Sequence, residues 1–136
     1  MGCQHSPQPP ASEPQAQAVA EATPSIIDLN TLESKTIENF KGGQGTIEMR
    51  SYQQGETKVM YCVLPAGSSV GYHTHDHNME MIYVLSGTAD IFYDSVDHLV
   101  ISAGQGRVHY CSHGHGHSIT NAGQDDLCLY NVVAAE

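Results

Sequence analysis

Two short histidine clusters in the second half of the chain carry the residue types that could do chemistry. The first lies within GSSVGYHTHDHNMEMIYVLSG, residues 67–87, where His73 and His75 alternate and Glu80 follows five residues later. Side chains two residues apart on a strand project from the same face. Two imidazoles and a carboxylate on adjoining strands can bind a divalent cation and leave other coordination positions open. His77 is a further candidate, and we expect it in the connecting bend.

Glu80 argues against a purely structural interpretation of this cluster. A single histidine on an apolar strand is usually a hydrogen-bonded core residue or a solvated edge residue. Glu80, however, directly precedes the apolar run MIYVL. A carboxylate buried there without a cation or a hydrogen-bond donor would be costly. If Glu80 points inward, the alternation of a strand predicts that Ile82 and Val84 do so as well.

The second cluster lies within GRVHYCSHGHGHSITN, residues 106–121, where single glycines separate His113, His115 and His117. Glycine at this density marks a turn or a close backbone approach. We therefore expect one of the three to face the first cluster, and we favour His117 because it begins the next strand-like run. His113 and His115 fit a solvent-exposed loop that binds metal adventitiously. His115 and Tyr110 stay candidates for additional pocket or loop ligands.

Short β-type segments surround both clusters. From residue 45 onward, runs rich in Val, Ile, Tyr and Thr alternate with Gly, Pro, Asn, Asp and Ser, which favour turns. About eight strands at this spacing predict a sandwich or a barrel. A short helix fits only around Thr31–Asn39. The expected strands are Thr46–Tyr52, Lys58–Leu64, Met79–Leu85, Ala89–Tyr93, Leu99–Ile101, Val108–Cys111, Ser118–Thr120 and Leu127–Val133.

The first 24 residues differ in composition from the rest. Residues 1–24 hold five of the six prolines and almost no bulky apolar side chains, which predicts a disordered Pro/Gln/Ala-rich tail. The start, MGCQHS, fits N-myristoylation at Gly2 with Cys3 placed for palmitoylation. Cys3 could instead be the lipidated first residue of a bacterial lipoprotein, or the N-terminus could be unmodified. We expect a cytoplasmic protein, or one tethered to a membrane through Gly2 or Cys3.

The charge balance and the absence of a long apolar stretch argue against two kinds of partner, nucleic acid and the membrane interior. The 136 residues contain 15 Asp and Glu against 5 Lys and Arg, a formal charge of -10. Because this charge repels phosphate backbones, we expect no nucleic-acid partner. No stretch approaches the roughly 20 apolar residues of a transmembrane helix, so we expect no transmembrane segment. The expected partner is a small-molecule substrate or ligand.

The spacing of the two clusters resembles the two motifs of the cupin superfamily. The match covers nine of ten fixed positions over residues 67–121, with Ser112 where the family usually has proline. The matching residues are Gly67, His73, His75, Glu80 and Gly87 in the first motif and Gly106, Gly114, His117 and Asn121 in the second, with the eighteen-residue connection of a small cupin.

The resemblance implies an all-β fold: a double-stranded β-helix (jelly-roll) barrel of six to eight strands, often a homodimer. We expect this cupin β-barrel domain over residues 25–136. The resemblance also implies one divalent metal ion per chain, held by His73, His75, Glu80 and His117. This mixed nitrogen and oxygen ligand set suits Fe, Mn, Ni, Zn and Co alike.

Three functions are compatible with such a site. The first is a metal-dependent enzyme acting on a small organic molecule. Family analogy favours dioxygenase-type oxidation slightly over isomerase or lyase chemistry. The alternative is a non-catalytic module that binds or senses a metal or a small ligand, which the additional histidines favour. The third is a barrel with a structural metal. Arg107 could hold a substrate carboxylate, or pair with Asp90, Asp94 or Asp97.

Overall fold

A computed structural model describes residues 25–94 and 96–136. The predicted tail, residues 1–24, lies outside the described residues, and so do the lipidation candidates Gly2 and Cys3. The boundary between residues 24 and 25 therefore stays a prediction. The described residues contain no helix long and apolar enough to cross a bilayer.

The described chain is built from antiparallel strands, and the expected all-β jelly roll is confirmed. Its strands are β1 (Lys35–Glu38), β2 (Thr46–Gln54), β3 (Thr57–Leu64), β4 (Ser69–His75), β5 (Asn78–Ser86), β6 (Thr88–Tyr93), β7 (Asp97–Ser102), β8 (Val108–Cys111), β9 (His115–Asn121) and β10 (Leu127–Ala135). One sheet has the order β1-β2-β3-β10-β5-β8, and the other has the order β4-β9-β6-β7.

The two sheets bury an apolar core between their facing sides. Strand β6 shows the alternation that produces this core, since Ala89, Ile91 and Tyr93 are buried while the residues between them are partly exposed. In β5 the alternation also places Ile82 and Val84 inside, at 0% and 2% exposure. The central core comprises Ile47, Met49, Met60, Cys62, Leu64, Val70, Ile82, Val84, Ala89, Ile91, Ile101, Ile119, Leu127 and Leu129.

A β-bulge interrupts the pairing of β4 with β9. Val70 lies opposite Ile119 and His73 lies opposite His117, so β4 advances three residues while β9 advances two. Side chains three apart on a regular strand face opposite sides. The extra residue restores the phase, and Val70 and His73 both line the interior.

The segment where a short helix was expected, Thr31–Asn39, contains strand β1 instead. Helical structure among the described residues is limited to the 3-10 turns Leu29–Thr31 and Phe40–Gly42. The edge of the sheet explains the difference, because β1 pairs with β2 in register from Lys35 to Glu38. Pairing to a neighbouring strand thus overrides the weak local preference of this segment.

Candidate metal centre

Strands β4 and β9 bring three histidines to the same inner face. His73 and His75 alternate on β4, and His117 on β9 lies directly opposite His73 in the pairing. Residues that face each other across antiparallel strands have their side chains on the same side of the sheet. The imidazole rings of the three residues pack edge to face, with centroids 4.7–5.0 Å apart.

Glu80 completes the group from the opposite sheet. It lies on β5 and is 6% exposed. Its Oε1 atom lies 2.9 Å from His117 Nε2, 3.1 Å from His75 Nε2 and 3.9 Å from His73 Nε2. One ligand atom from each of these four residues lies within 4.8 Å of all the others. The structure thus gathers the four residues named by the resemblance around one point between the sheets.

Hydrogen bonds at Nδ1 select the tautomers of two of the histidines. His73 Nδ1 lies 2.8 Å from the Gly71 carbonyl oxygen, and His75 Nδ1 lies 2.7 Å from Asn78 Oδ1. Because these oxygens can only accept, Nδ1 of each ring carries the proton and donates it. In the neutral rings the lone pair is therefore on Nε2, which faces Glu80. That is the tautomer a metal ligand requires.

His117 is oriented by another buried histidine, His109 on β8. The two rings meet through His117 Nδ1 and His109 Nε2, 2.9 Å apart. His109 is 3% exposed, and burial lowers the pKa of its ring to about 4, so the ring is neutral at neutral pH. The unprotonated Nε2 of a neutral His109 can accept a hydrogen bond from His117 Nδ1–H, which leaves His117 Nε2 free as a ligand atom.

The Glu80 carboxylate is ionised in spite of its burial. Burial by itself raises the pKa of the Glu80 carboxyl, but hydrogen bonds from His117, His73 and His75 outweigh it and hold the pKa well below its usual value. The second oxygen, Oε2, accepts a 2.9 Å hydrogen bond from Asn131 Nδ2. Oε1 is left to face the three imidazoles.

The pKa of His117 is lowered and the pKa of His75 is raised. Burial lowers the pKa of His117, which is 0% exposed. For His75 the hydrogen bond to Glu80 is the strongest influence and raises the pKa, whereas the nearby Lys41 charge opposes that rise. A proton therefore competes for the His75 ring up to a higher pH than for an ordinary histidine.

The donor set fits a divalent cation. Adjacent ligands at about 2.1 Å from a six-coordinate ion lie about 3.0 Å apart, and three of the ligand-atom separations are 2.9, 3.1 and 3.2 Å. Asn131 Oδ1, beside the centre, is buried without a hydrogen-bond donor among the described residues. A bound ion would supply Lewis acidity and coordination positions open to a ligand.

The centre lies in a cavity of about 370 Å³. Apolar side chains from both sheets, such as Met60, Leu129 and Ile119, form much of its wall, and Lys41 and Lys58 also line it. Such a space is at the lower end of the volumes typical of small-molecule sites. The cavity therefore suits a small ligand.

The three additional candidates lie away from the ligand atoms. His77 is exposed and lines the cavity without joining the four-residue group. His115 is partly exposed at the start of β9, and its Nδ1 lies 2.9 Å from Asp94 Oδ1. Tyr110 is 44% exposed and donates a hydrogen bond to Glu136. None of these three belongs to a metal-ligating group among the described residues.

Sequence reasoning missed His109. Its signal was the alternation of β8, where His109 and Cys111 are buried and Val108 and Tyr110 are exposed. Ligand atoms of His109, Cys111 and His117 also lie within 4.8 Å of one another. This second group is the weaker ligand set, since burial raises the pKa of the Cys111 thiol to about 12 and keeps it protonated.

Comparisons with known proteins agree with this fold. The family model described as "Cupin domain" matches residues 60–133. An oxalate-binding protein from Thermotoga maritima is 33% identical over 119 residues, which are 83% of this chain and 96% of that protein. Among solved structures, a predicted oxalate decarboxylase from Thermotoga maritima is 28% identical with a TM-score of 0.74, covering 82% of this chain and 99% of that one.

A more distant structure shows the same fold. The cupin domain of Schizosaccharomyces pombe Cnp3 is 17% identical with a TM-score of 0.66, covering 82% of this chain and 74% of that one. The family match spans more than half of the chain and contains His73, His75, Glu80 and His117. On these grounds the chain belongs to the cupin family.

Proposed function

We propose that this cupin holds one divalent metal ion on His73, His75, Glu80 and His117 and binds a small carboxylate ligand there. The observation that carries the proposal is the convergence of these four residues in a cavity of about 370 Å³. With three neutral imidazoles and one carboxylate, a divalent ion gives the centre a net positive charge. An anionic ligand neutralises that positive charge, whereas a neutral ligand does not.

The chain's own residues prepare the site for such a ligand. Gly71 and Asn78 hold the rings of His73 and His75 with Nε2 toward the centre, and Asn131 holds the Glu80 carboxylate. The apolar wall excludes water, which strengthens the attraction between an anion and the centre. The name of the relative, an oxalate-binding protein, supports oxalate as the first ligand to test.

Metal content and oxalate binding test the proposal directly. We expect protein purified without a histidine tag to contain one divalent ion per chain, identified among Fe, Mn, Ni, Zn and Co by elemental analysis. Titration calorimetry should then detect oxalate binding to the metal-loaded protein and none after chelation. A metal-loaded protein that binds no carboxylate would contradict the proposal.

A catalytic role is the second candidate, and the spare coordination of the centre favours it. Four protein ligands leave two positions of a six-coordinate ion for other groups, as metal-dependent oxidation requires. Dioxygenase-type oxidation is favoured over isomerase or lyase chemistry, and a non-catalytic binding or sensing module is the alternative. Oxygen uptake with small thiols, diketones and phenolics, lost on chelation and restored by Fe(II), would support oxidation. Ligand binding without turnover would support the binding module.

We also propose a homodimer formed through the outer face of the six-stranded sheet. Met81, Tyr83, Val108, Tyr110 and Tyr130 are each 36–49% exposed there, and strand pairing places them side by side. An apolar patch of this kind on a sheet marks an interaction surface. Light scattering should give twice the mass of one chain, and Tyr83→Glu should give a monomer. A monomeric parent protein would contradict this proposal.

A further inference from the structure

Two of the five basic side chains of this acidic protein line the metal cavity. Lys41 follows β1 in the turn Phe40–Gly42, and Lys58 lies on β3. The chain carries a formal charge of -10. Two lysines in one cavity are therefore a local enrichment of positive charge in an acidic protein.

Neither ammonium group is neutralised by a carboxylate. Among the described residues, no ion pair involves Lys41 or Lys58, although the chain has 15 acidic residues. Lys41 Nζ lies over the Phe40 ring, 5.5 Å from its centre, and its charge acts on His75. The Lys58 charge acts on Cys62, which also lines the cavity. Both charges are thus directed at the cavity and available to a ligand.

The backbone holds Lys41 in place. Its φ of 56° is in the left-handed region, and the turn packs so closely on β4 that a Cβ atom at Gly71 would overlap the Lys41 carbonyl oxygen. Gly43 is packed equally closely, against the backbone of Ser69. The backbone of Lys41 is therefore held against Gly71. Gly71 precedes His73, the first metal-ligand candidate on β4, by two residues.

The charged side chains around the cavity, together with a divalent metal ion, would be neutralised by a ligand with two negative charges. The carboxylates in the lining are Glu80 at the centre and the exposed Asp76. The two lysines offset the two carboxylates. A divalent ion then leaves two positive charges uncompensated, which a dianion would neutralise.

We propose that Lys41 and Lys58 select a small dicarboxylate dianion, with one carboxylate at the metal centre and the other at the two ammonium groups. This inference rests on the proposed function and names the charge class of its ligand. It predicts a preference for dianions of short reach, such as oxalate and malonate, over the monoanions formate and acetate.

Calorimetry on the metal-loaded full chain tests the proposal. We expect oxalate to bind at least about tenfold more tightly than acetate. Lys41→Met and Lys58→Met should each weaken oxalate binding about tenfold, the effect of losing a hydrogen bond to a charged group. Metal content and acetate affinity should change less than about twofold. Lys35→Met is the matched control, since Lys35 is exposed on β1 away from the cavity.

The outcomes separate this inference from the proposed function. If oxalate binds but neither lysine variant weakens it, or if acetate binds equally well, the lysine proposal is overturned and the carboxylate site stands. If the metal-loaded parent protein binds no carboxylate, both are overturned. Lys41→Gln and Lys58→Gln provide a second pair of variants if a methionine variant fails to fold, as circular dichroism would show.

Discussion

Histidines inside and outside the cavity behave differently in this protein, although they lie on the same sheet. Inside the cavity, Nδ1 of His73 and His75 donates to neutral oxygens, and Nε2 of each ring faces Glu80. Outside it, Nδ1 of the partly exposed His115 pairs with Asp94, and Nδ1 of the exposed His98 pairs with Asp90. The inner rings converge on one carboxylate oxygen, whereas each outer ring has its own acid.

This difference shows that the partner of Nδ1 and the direction of Nε2 decide which histidines form a site. A carboxylate that pairs with one exposed ring forms a surface ion pair, which contributes little to stability. A carboxylate that faces three buried rings fixes all of them with their lone pairs toward one point. Residue type and alternation are the same in both places, so they do not by themselves identify a ligand.

The largest expected effect comes from removing an inner ring. His75→Ala should abolish stoichiometric metal binding and weaken metal affinity by at least about a hundredfold, beyond the loss typical of residues that only orient a ligand. His113→Ala is the outer control and should leave affinity nearly unchanged, since His113 is paired with Glu136. Elemental analysis and competition with a chelating dye would measure both. Equal losses would show that the outer loop also binds the ion.

A smaller effect is expected from the residue behind the ligands. His109→Phe removes the acceptor for His117 Nδ1 and keeps an aromatic ring. We expect metal affinity to fall about 10- to 100-fold, with partial recovery in His109→Gln. The control is His98→Phe on the outer face, which should have no effect. An unchanged affinity in His109→Phe would mean that His117 is oriented without His109.

The pH dependence of metal binding should also distinguish His75 inside the cavity from His98 outside it. The hydrogen bond to Glu80 raises the pKa of His75, so the ring keeps its proton to a higher pH, and the metal must displace it. Affinity should be constant above this raised pKa and fall as the pH drops through it, by about tenfold per unit for one competing proton. The pKa of His98 is also raised, by Asp90, yet His98→Ala should leave the profile unchanged. A flat profile would contradict this role of His75.

The smallest expected effect concerns the outer pair itself. Asp94 accepts hydrogen bonds from His115 Nδ1 and from the Gly116 backbone N–H, and hydrogen bonding to His115 lowers its pKa. Because Asp94 is exposed, Asp94→Ala should lower the Tm by only a few degrees and leave metal content intact. Scanning calorimetry with elemental analysis would test this. Loss of metal in Asp94→Ala would show that the outer pair positions His117.

The fold and the four-residue group could be predicted because local patterns encode them. Alternation of apolar residues marked the strands, and the spacing of His73, His75 and Glu80 marked one face of adjoining strands. The glycines beside His113 correctly marked a turn, but the expectation of a loop at His115 was wrong, because His115 begins β9 and pairs with His75.

The residues that hydrogen-bond to the four ligand candidates could not be predicted, because the pairing of strands distant in sequence brings them there. Asn131 reaches Glu80 only because β10 pairs with β5, and His109 reaches His117 from the edge strand of the other sheet. Lys41 and Lys58 lie outside both motifs, and sequence analysis instead considered Arg107 for a substrate carboxylate. Arg107 hydrogen-bonds to Gln105 and does not line the metal cavity.

The bulge in β4 makes the ligand group depend on the number of residues between Val70 and His73. Val70 belongs to the apolar core and His73 to the ligand group, yet the two share one face only through the extra residue between them. Deleting Gly71 would rotate the imidazoles of His73 and His75 outward together, although every ligand would still be encoded. A single-codon insertion or deletion at this point would therefore disrupt the ligand group as a whole.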